Sequence, residues 1–210
     1  MFGIHDLPVF IAAGLMLNIM PGPDSLLIMT RSATQGWRAG AMAALGIGAG
    51  TFVHIFAAAL GLSAILATSA TAFTVVKLIG AAYILYMAIG LLRAKRGAAQ
   101  TTPVLPALPF ARIFAQGFLT NVLNPKVALF FLAFVPQFID AHAADKAIAF
   151  IVLGCVFSLN GMLWCLCLSL FTARASSLVK LNPKVAQYLS RATGGLFIWL
   201  GVKLALAKQQ

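Results

Sequence analysis

Six predominantly apolar stretches, each of roughly 18 residues or more, recur along the chain at about 7–29, 42–66, 72–92, 112–138, 147–172 and 187–206. A run of that length with few charges can cross the hydrocarbon core of a bilayer as a helix, where every backbone group must be satisfied within the protein. Of 210 residues, 61% are hydrophobic and 9% charged, and none is glutamate. A soluble domain of this size carries far more surface charge. The class expected is therefore an all-α polytopic membrane protein of six transmembrane helices.

The formal charge of +11 does not point to nucleic acid, because the basic residues gather at span ends rather than on one soluble face. On a six-helix reading, loop 30–41 holds Arg31 and Arg38. Loop 93–112 holds Arg93, Lys95, Arg96 and Arg112, and loop 173–191 holds Arg174, Lys180, Lys184 and Arg191. The opposite side has Lys77, Lys146, Lys203 and Lys208, while Lys126 falls inside a span. The positive-inside rule then places the three basic loops in the cytoplasm and both termini outside. The opening "MFGIHDLPVF" has no basic n-region and no small-residue cleavage site follows, so 7–29 is kept as the first span.

The two halves resemble each other. "KLIGAAYILYMAIGLLRA" from Lys77 lies over "RATGGLFIWLGVKLALA" from Arg191, with Gly80 on Gly194 and Tyr83 on Phe197. Spans one and four share "MPGPD" and "LNPK", each a small or amide residue before a mid-span proline with a charge just after it. Three spans per half is an odd number, so two such halves are inverted in the membrane, as in many secondary transporters. The expected division is a three-helix repeat over 1–92, a proline-containing cytoplasmic linker over 93–111 and a second repeat over 112–210.

The prolines are the chemically informative feature. Proline suits the first position of a helix and harms its interior. Pro21, Gly22 and Pro23 in span one, and Asn124 and Pro125 in span four, each read as a break followed by a second half-helix. Irregular backbone at membrane depth survives where protein or a wet cavity satisfies it, and such breaks hold substrate in transporters. Asp24 follows Pro23 at a helix start, where a carboxylate is favoured. Lys126 occupies the equivalent place after Pro125, where the dipole disfavours a cation, so it requires a carboxylate or an anionic ligand. The pair would face the central axis, close enough to pair or to be bridged. A small zwitterion has matching charges: its ammonium for Asp24, its carboxylate for Lys126 and the N–H groups after Asn124. Asp24, a carboxylate at depth, is also a candidate site for a proton.

Other polar residues carry less. Asn18 and Asn121, one turn before the breaks, are placed to bond freed carbonyls. His54 and Asn160 have no assignable direction, and for His54 packing with one hydrogen bond is the plainer reading. Glycines 36, 40, 46, 48 and 50 suggest close helix packing. "GIGAGT" lacks dinucleotide-binding spacing. Cys155, Cys165 and Cys167 form no C-x-x-C pair and read as small buried residues.

"PGPDSLLIMTRSATQGWRAGAMAALGIGAG" and "QGFLTNVLNPKVALFFLAFVPQF" resemble the two signatures of the LysE/RhtB family of amino-acid exporters. The likeness runs almost end to end and is nearer the RhtB-type branch. It implies six spans, a bacterial inner-membrane location and efflux of homoserine, threonine, leucine or similar neutral amino acids driven by the proton-motive force.

Rival classes fit the residues less well. With no glutamate there is no H-E-x-x-H, and Ser25 with Lys126 only imitates a serine–lysine dyad, so no enzyme is expected. A thiol-redox carrier needs cysteines at the breaks. An exporter of basic amino acids or of a metal cation needs more inward carboxylates than Asp24. The expected partners are an amino-acid substrate, protons and the lipid bilayer, with a homodimer as one arrangement, and no cofactor, metal or nucleic acid.

Overall fold

The computed structural model describes residues 2–62, 107–140 and 142–175, with isolated helical positions between 71 and 89 and between 195 and 202. The expected spans at 72–92 and 187–206 fall outside the described residues apart from those positions. The Gly80/Gly194 and Tyr83/Phe197 correspondences lie outside them altogether. Among the described residues there is no strand, only an isolated bridge between Ile4 and Ile139.

Among the described residues two helices are long and apolar enough to cross a membrane, and two bent helix pairs each reach that length if taken as one span. Helix α1 (Leu7–Ile19) and α2 (Pro23–Gln35) form a bent pair with an angle of 54°. Helix α3 (Trp37–Ala57) runs unbroken into a π turn over Ala58–Leu62. Helix α4 (Phe110–Val122) and α5 (Pro125–Leu129) form a second bent pair, which continues through a π segment (Phe130–Phe134) and a 3-10 turn (Val135–Phe138) and is bent by 45°. Helix α6 (Lys146–Ala175) is long, uninterrupted and apolar.

The expected loop 30–41 does not exist. Helix α2 continues to Gln35, and α3 begins after the single residue Gly36, whose φ of 82° lies in the left-handed region that glycine enters without strain. Arg31 is therefore not a loop charge. It is buried in α2, donating from Nη1 to Gln35 Oε1 (3.0 Å) and from Nη2 to Gln116 Oε1 (2.9 Å). Two amide oxygens take the place of water, and this is why a residue that reads as a loop cation from sequence can sit inside.

Glycine sets how closely the helices approach. A Cβ on Gly46 would strike the carbonyl of Phe114, and one on Gly117 the carbonyl of Ala43, so α3 and α4 meet backbone to backbone. Gly40 faces the hydroxyls of Ser32 and Ser169, and a Cβ on Gly50 would come within 2.8 Å of Phe118 O. Gly36 is the exception among the expected packing glycines: nothing lies within 4 Å of its Cβ position, and its role is the turn. The cysteine expectation is corrected too. Cys155 and Cys167 are exposed on α6, and Cys165 alone is partly buried. On a helix that buries only its inner face, the positions of Cys155 and Cys167 point outward.

Two apolar clusters lie one above the other. One is aromatic, joining Phe10, Phe130, Phe134, Phe138 and Phe157, with Phe130 and Phe157 stacked at 4.6 Å. The other gathers Ile28, Ala39, Ala43, Ala44, Ile47 and Ile113. The aromatic end carries the N-terminal residues and the turn after Phe138, joined by His5 N–H to Phe138 O (3.1 Å) and Asp140 N–H to Gly3 O (2.8 Å). The opposite end joins α2 to residue 108, with Gln35 both donating to and accepting from the Leu108 backbone, and joins α6 to Trp37 through Ser169. Charges divide accordingly. Asp6, Asp140, Asp145 and the single cation Lys146 sit at the first end, and Arg38, Arg112 and Arg174 at the second, among the described residues.

Candidate functional site

Each proline removes a specific hydrogen bond, and what replaces it builds the site. In a continuous helix Leu17 O would accept from the residue four later, which is Pro21 and has no N–H. Lys126 Nζ supplies the missing donor, bonding Leu17 O at 3.1 Å and Met20 O at 3.2 Å. The same logic runs at the second break. Asn121 O would accept from Pro125; instead it takes Asn124 N–H at 2.9 Å and lies 3.0 Å from His54 Nε2, which donates when its proton is on that nitrogen. At both breaks the carbonyl end of the first half-helix is met by a basic side chain, where the helix dipole favours positive charge.

This corrects two expectations. Lys126 does not meet the unfavourable start of α5: its ammonium lies at the carbonyl end of α1, so the dipole it meets is favourable, and Asp24 is the carboxylate in the same cavity lining. It passes beside Gly22, where a Cβ would come within 3.3 Å of Nζ. Asn18 and Asn121 do not use their amides on freed carbonyls, because Lys126 and His54 have taken that place.

Asp24, at the start of α2, is tied to the other break. Its Oδ2 accepts from Asn121 Nδ2 (2.9 Å) and Asn124 Nδ2 (3.0 Å). Asn124 also caps α5, its Oδ1 accepting from the Lys126 backbone N–H at 3.0 Å. Val127 and Ala128 N–H both bond Asn124 O. The expected anion site after Asn124 is thus already filled by Asn124 itself. At α2 the situation differs: Gly22 offers no side-chain cap, and Pro23 occupies the first position.

Asp24 and Lys126 form no ion pair with each other; each is bound to the opposite break. Both nevertheless line one cavity of about 30 Å³, together with Asn18 and Asn121. That volume holds a water or two and no amino acid. Two buried polar atoms in this lining have no partner: Asp24 Oδ1 and Asn18 Nδ2. Gly161 gives Asn18 its room, since a Cβ there would meet the amide at 3.2 Å.

Sequence reasoning missed several lining residues. Ser25, Thr51, Ser158, Met162 and Cys165 also face the cavity. Thr51 Oγ1 bonds Ile47 O and lies 3.3 Å from Asn121 Oδ1. Thr51 and His54, three apart on α3, share a face, and that spacing was the available signal. Asn160 has a buried amide nitrogen without a partner and is not in the lining.

The chain is similar to known membrane proteins over nearly its whole length. It is 31% identical over 212 residues to an uncharacterized membrane protein of Bacillus subtilis, covering 97% of this chain and all of that one. It is 30% identical over 209 residues to one of Pseudomonas aeruginosa, covering 98% and 97%. It is 27% identical over 207 residues to a leucine efflux protein of Salmonella typhimurium, covering 97% and 96%. No solved structure matches it. The family model described as LysE type translocator matches residues 15–208. With two proline-broken helices bracing each other around a polar cavity, and a family match over that extent, the chain belongs to the LysE-type translocators and is a membrane transporter, not an enzyme.

Proposed function

We propose that the chain exports small neutral amino acids or their derivatives, of homoserine, threonine or leucine type, across the bacterial inner membrane by proton antiport. The observation that carries this reading is the charge inventory of the cavity: one carboxylate, one ammonium and no other formal charge among its described lining residues. A zwitterion leaves that balance unchanged, whereas a basic amino acid brings an uncompensated cation into a buried site. The likeness to a leucine efflux protein agrees with it.

In this reading the substrate ammonium meets Asp24 Oδ1, the carboxylate oxygen without a partner. The substrate carboxylate goes to the start of α2 and the third Lys126 N–H, since two of its three donors are used on Leu17 and Met20. Asp24 holds either the substrate ammonium or the coupling proton, and that exclusivity makes the exchange obligatory. The end bearing Arg38, Arg112 and Arg174 faces the cytoplasm, and both termini lie outside. The two halves, 1–92 and 112–210, act as inverted repeats rocking about the crossed breaks.

Asp24→Asn tests the site. The amide oxygen can still accept from Asn121 and Asn124, so the cross-brace survives while the charge and the proton site are lost. Everted vesicles should show wild-type abundance and no uphill threonine or leucine transport under an imposed pH gradient. Uphill transport at near wild-type rates would remove Asp24 from the mechanism.

A further inference from the structure

The polar lining of the cavity accounts for a substrate's ammonium and carboxylate, and leaves its side chain without an assigned place. The remaining wall is apolar, formed by Ala44, Ile47, Phe157 and Met162 among others. Met162 packs on the cluster that contains Ala44 and Ile47. Its methyl group lies directly over Gly48: a Cβ built on Gly48 would meet Met162 Cε at 2.5 Å, with no other neighbour within 4 Å among the described residues. Gly48 therefore forms a notch, and the end of Met162 fills it.

The cavity of about 30 Å³ is too small for an amino acid, so binding displaces something. The polar walls are held by crossed hydrogen bonds between the two breaks. Methionine is unbranched, makes no hydrogen bond here and adapts by rotation about its side-chain bonds. It is the lining group that moves at least cost.

We infer that Met162 and Gly48 form the side-chain subsite of this transporter, a notch for an aliphatic group in which Met162 is a displaceable plug that sets the size accepted. The inference rests on the proposed amino-acid export through the same cavity. A side chain entering the notch replaces the Met162 methyl against Gly48, so contact with Ala44 and Ile47 is kept and no polar group is stranded. The subsite then discriminates by size. One methylene in an apolar pocket is worth about tenfold or more in discrimination.

The test uses the full chain, purified and reconstituted in liposomes, and reads counterflow of labelled leucine and labelled threonine. Met162→Ala enlarges the notch and should raise the leucine-to-threonine ratio by about tenfold. Gly48→Ala fills it and should lower the ratio by a similar factor; the clash falls on the flexible end of Met162, so folding is kept. Met162→Val also vacates the Cε position and should raise the ratio, which covers the case in which the alanine variant is not recovered folded. A ratio that stays at the wild-type value in the variants, or moves the same way in Gly48→Ala as in the Met162 variants, overturns the subsite. In that event a wild-type protein that still carries both amino acids leaves the export reading standing. A wild type that carries no neutral amino acid sinks the export reading, and the subsite with it.

Discussion

Replacing Lys126 with methionine separates the two accounts of this buried cation. If it were held by Asp24, its loss would leave an unpaired buried carboxylate, and neutralising Asp24 as well would restore stability. The structure places the ammonium on Leu17 O and Met20 O instead. Methionine can bond neither, and Pro21 cannot donate in its place. Each orphaned buried carbonyl costs about 1–3 kcal/mol, so the pair costs about 2–6 kcal/mol. Relief of the ammonium's own desolvation offsets part of this, while Asp24 is left in the cavity without a countercharge. A net loss of about 3 kcal/mol corresponds to a fall in melting temperature of roughly 6–12 °C at this chain length. Thermal unfolding in detergent, followed by the loss of monodisperse protein, would measure it. The double variant Asp24→Asn/Lys126→Met should keep most of the loss, because the carbonyls remain orphaned. Wild-type stability of Lys126→Met, or full rescue by Asp24→Asn, would refute the capping assignment.

Gly46→Val and Gly117→Val should each abolish recovery of folded protein, since the new side chain meets backbone carbonyls that cannot yield; Gly61→Ala, with nothing within 4 Å of its Cβ position, is the control that should fold normally in size-exclusion chromatography. Reporter fusions should place residues 107–109 and the end of α6 in the cytoplasm and residue 142 outside, and the reverse pattern would overturn the orientation.

Much of the architecture was legible in the chain because its causes are local. Apolar length marks a span, and a proline removes one N–H and so marks a break, which is why 54° and 45° bends fall at Pro21–Pro23 and Pro125. Asp24, Asn124 and Lys126 stood out as candidates for the same reason, being polar groups at those breaks. Their partners were not legible. A proline shows that Leu17 O and Asn121 O lose their donors, but nothing in the order of residues says that Lys126, over a hundred positions away, replaces one and His54 the other. Arg31 was misread as a loop cation because Gln116, which takes one side of its guanidinium, is distant in sequence. The crossing of the two breaks depends on α3 reaching α4 at Gly46, Gly50 and Gly117, an approach that glycine permits and only packing brings about. Sequence determined which backbone groups would be left wanting, since that follows from covalent structure. Tertiary structure decided which distant side chain met each of them, since that depends on the closeness of helices.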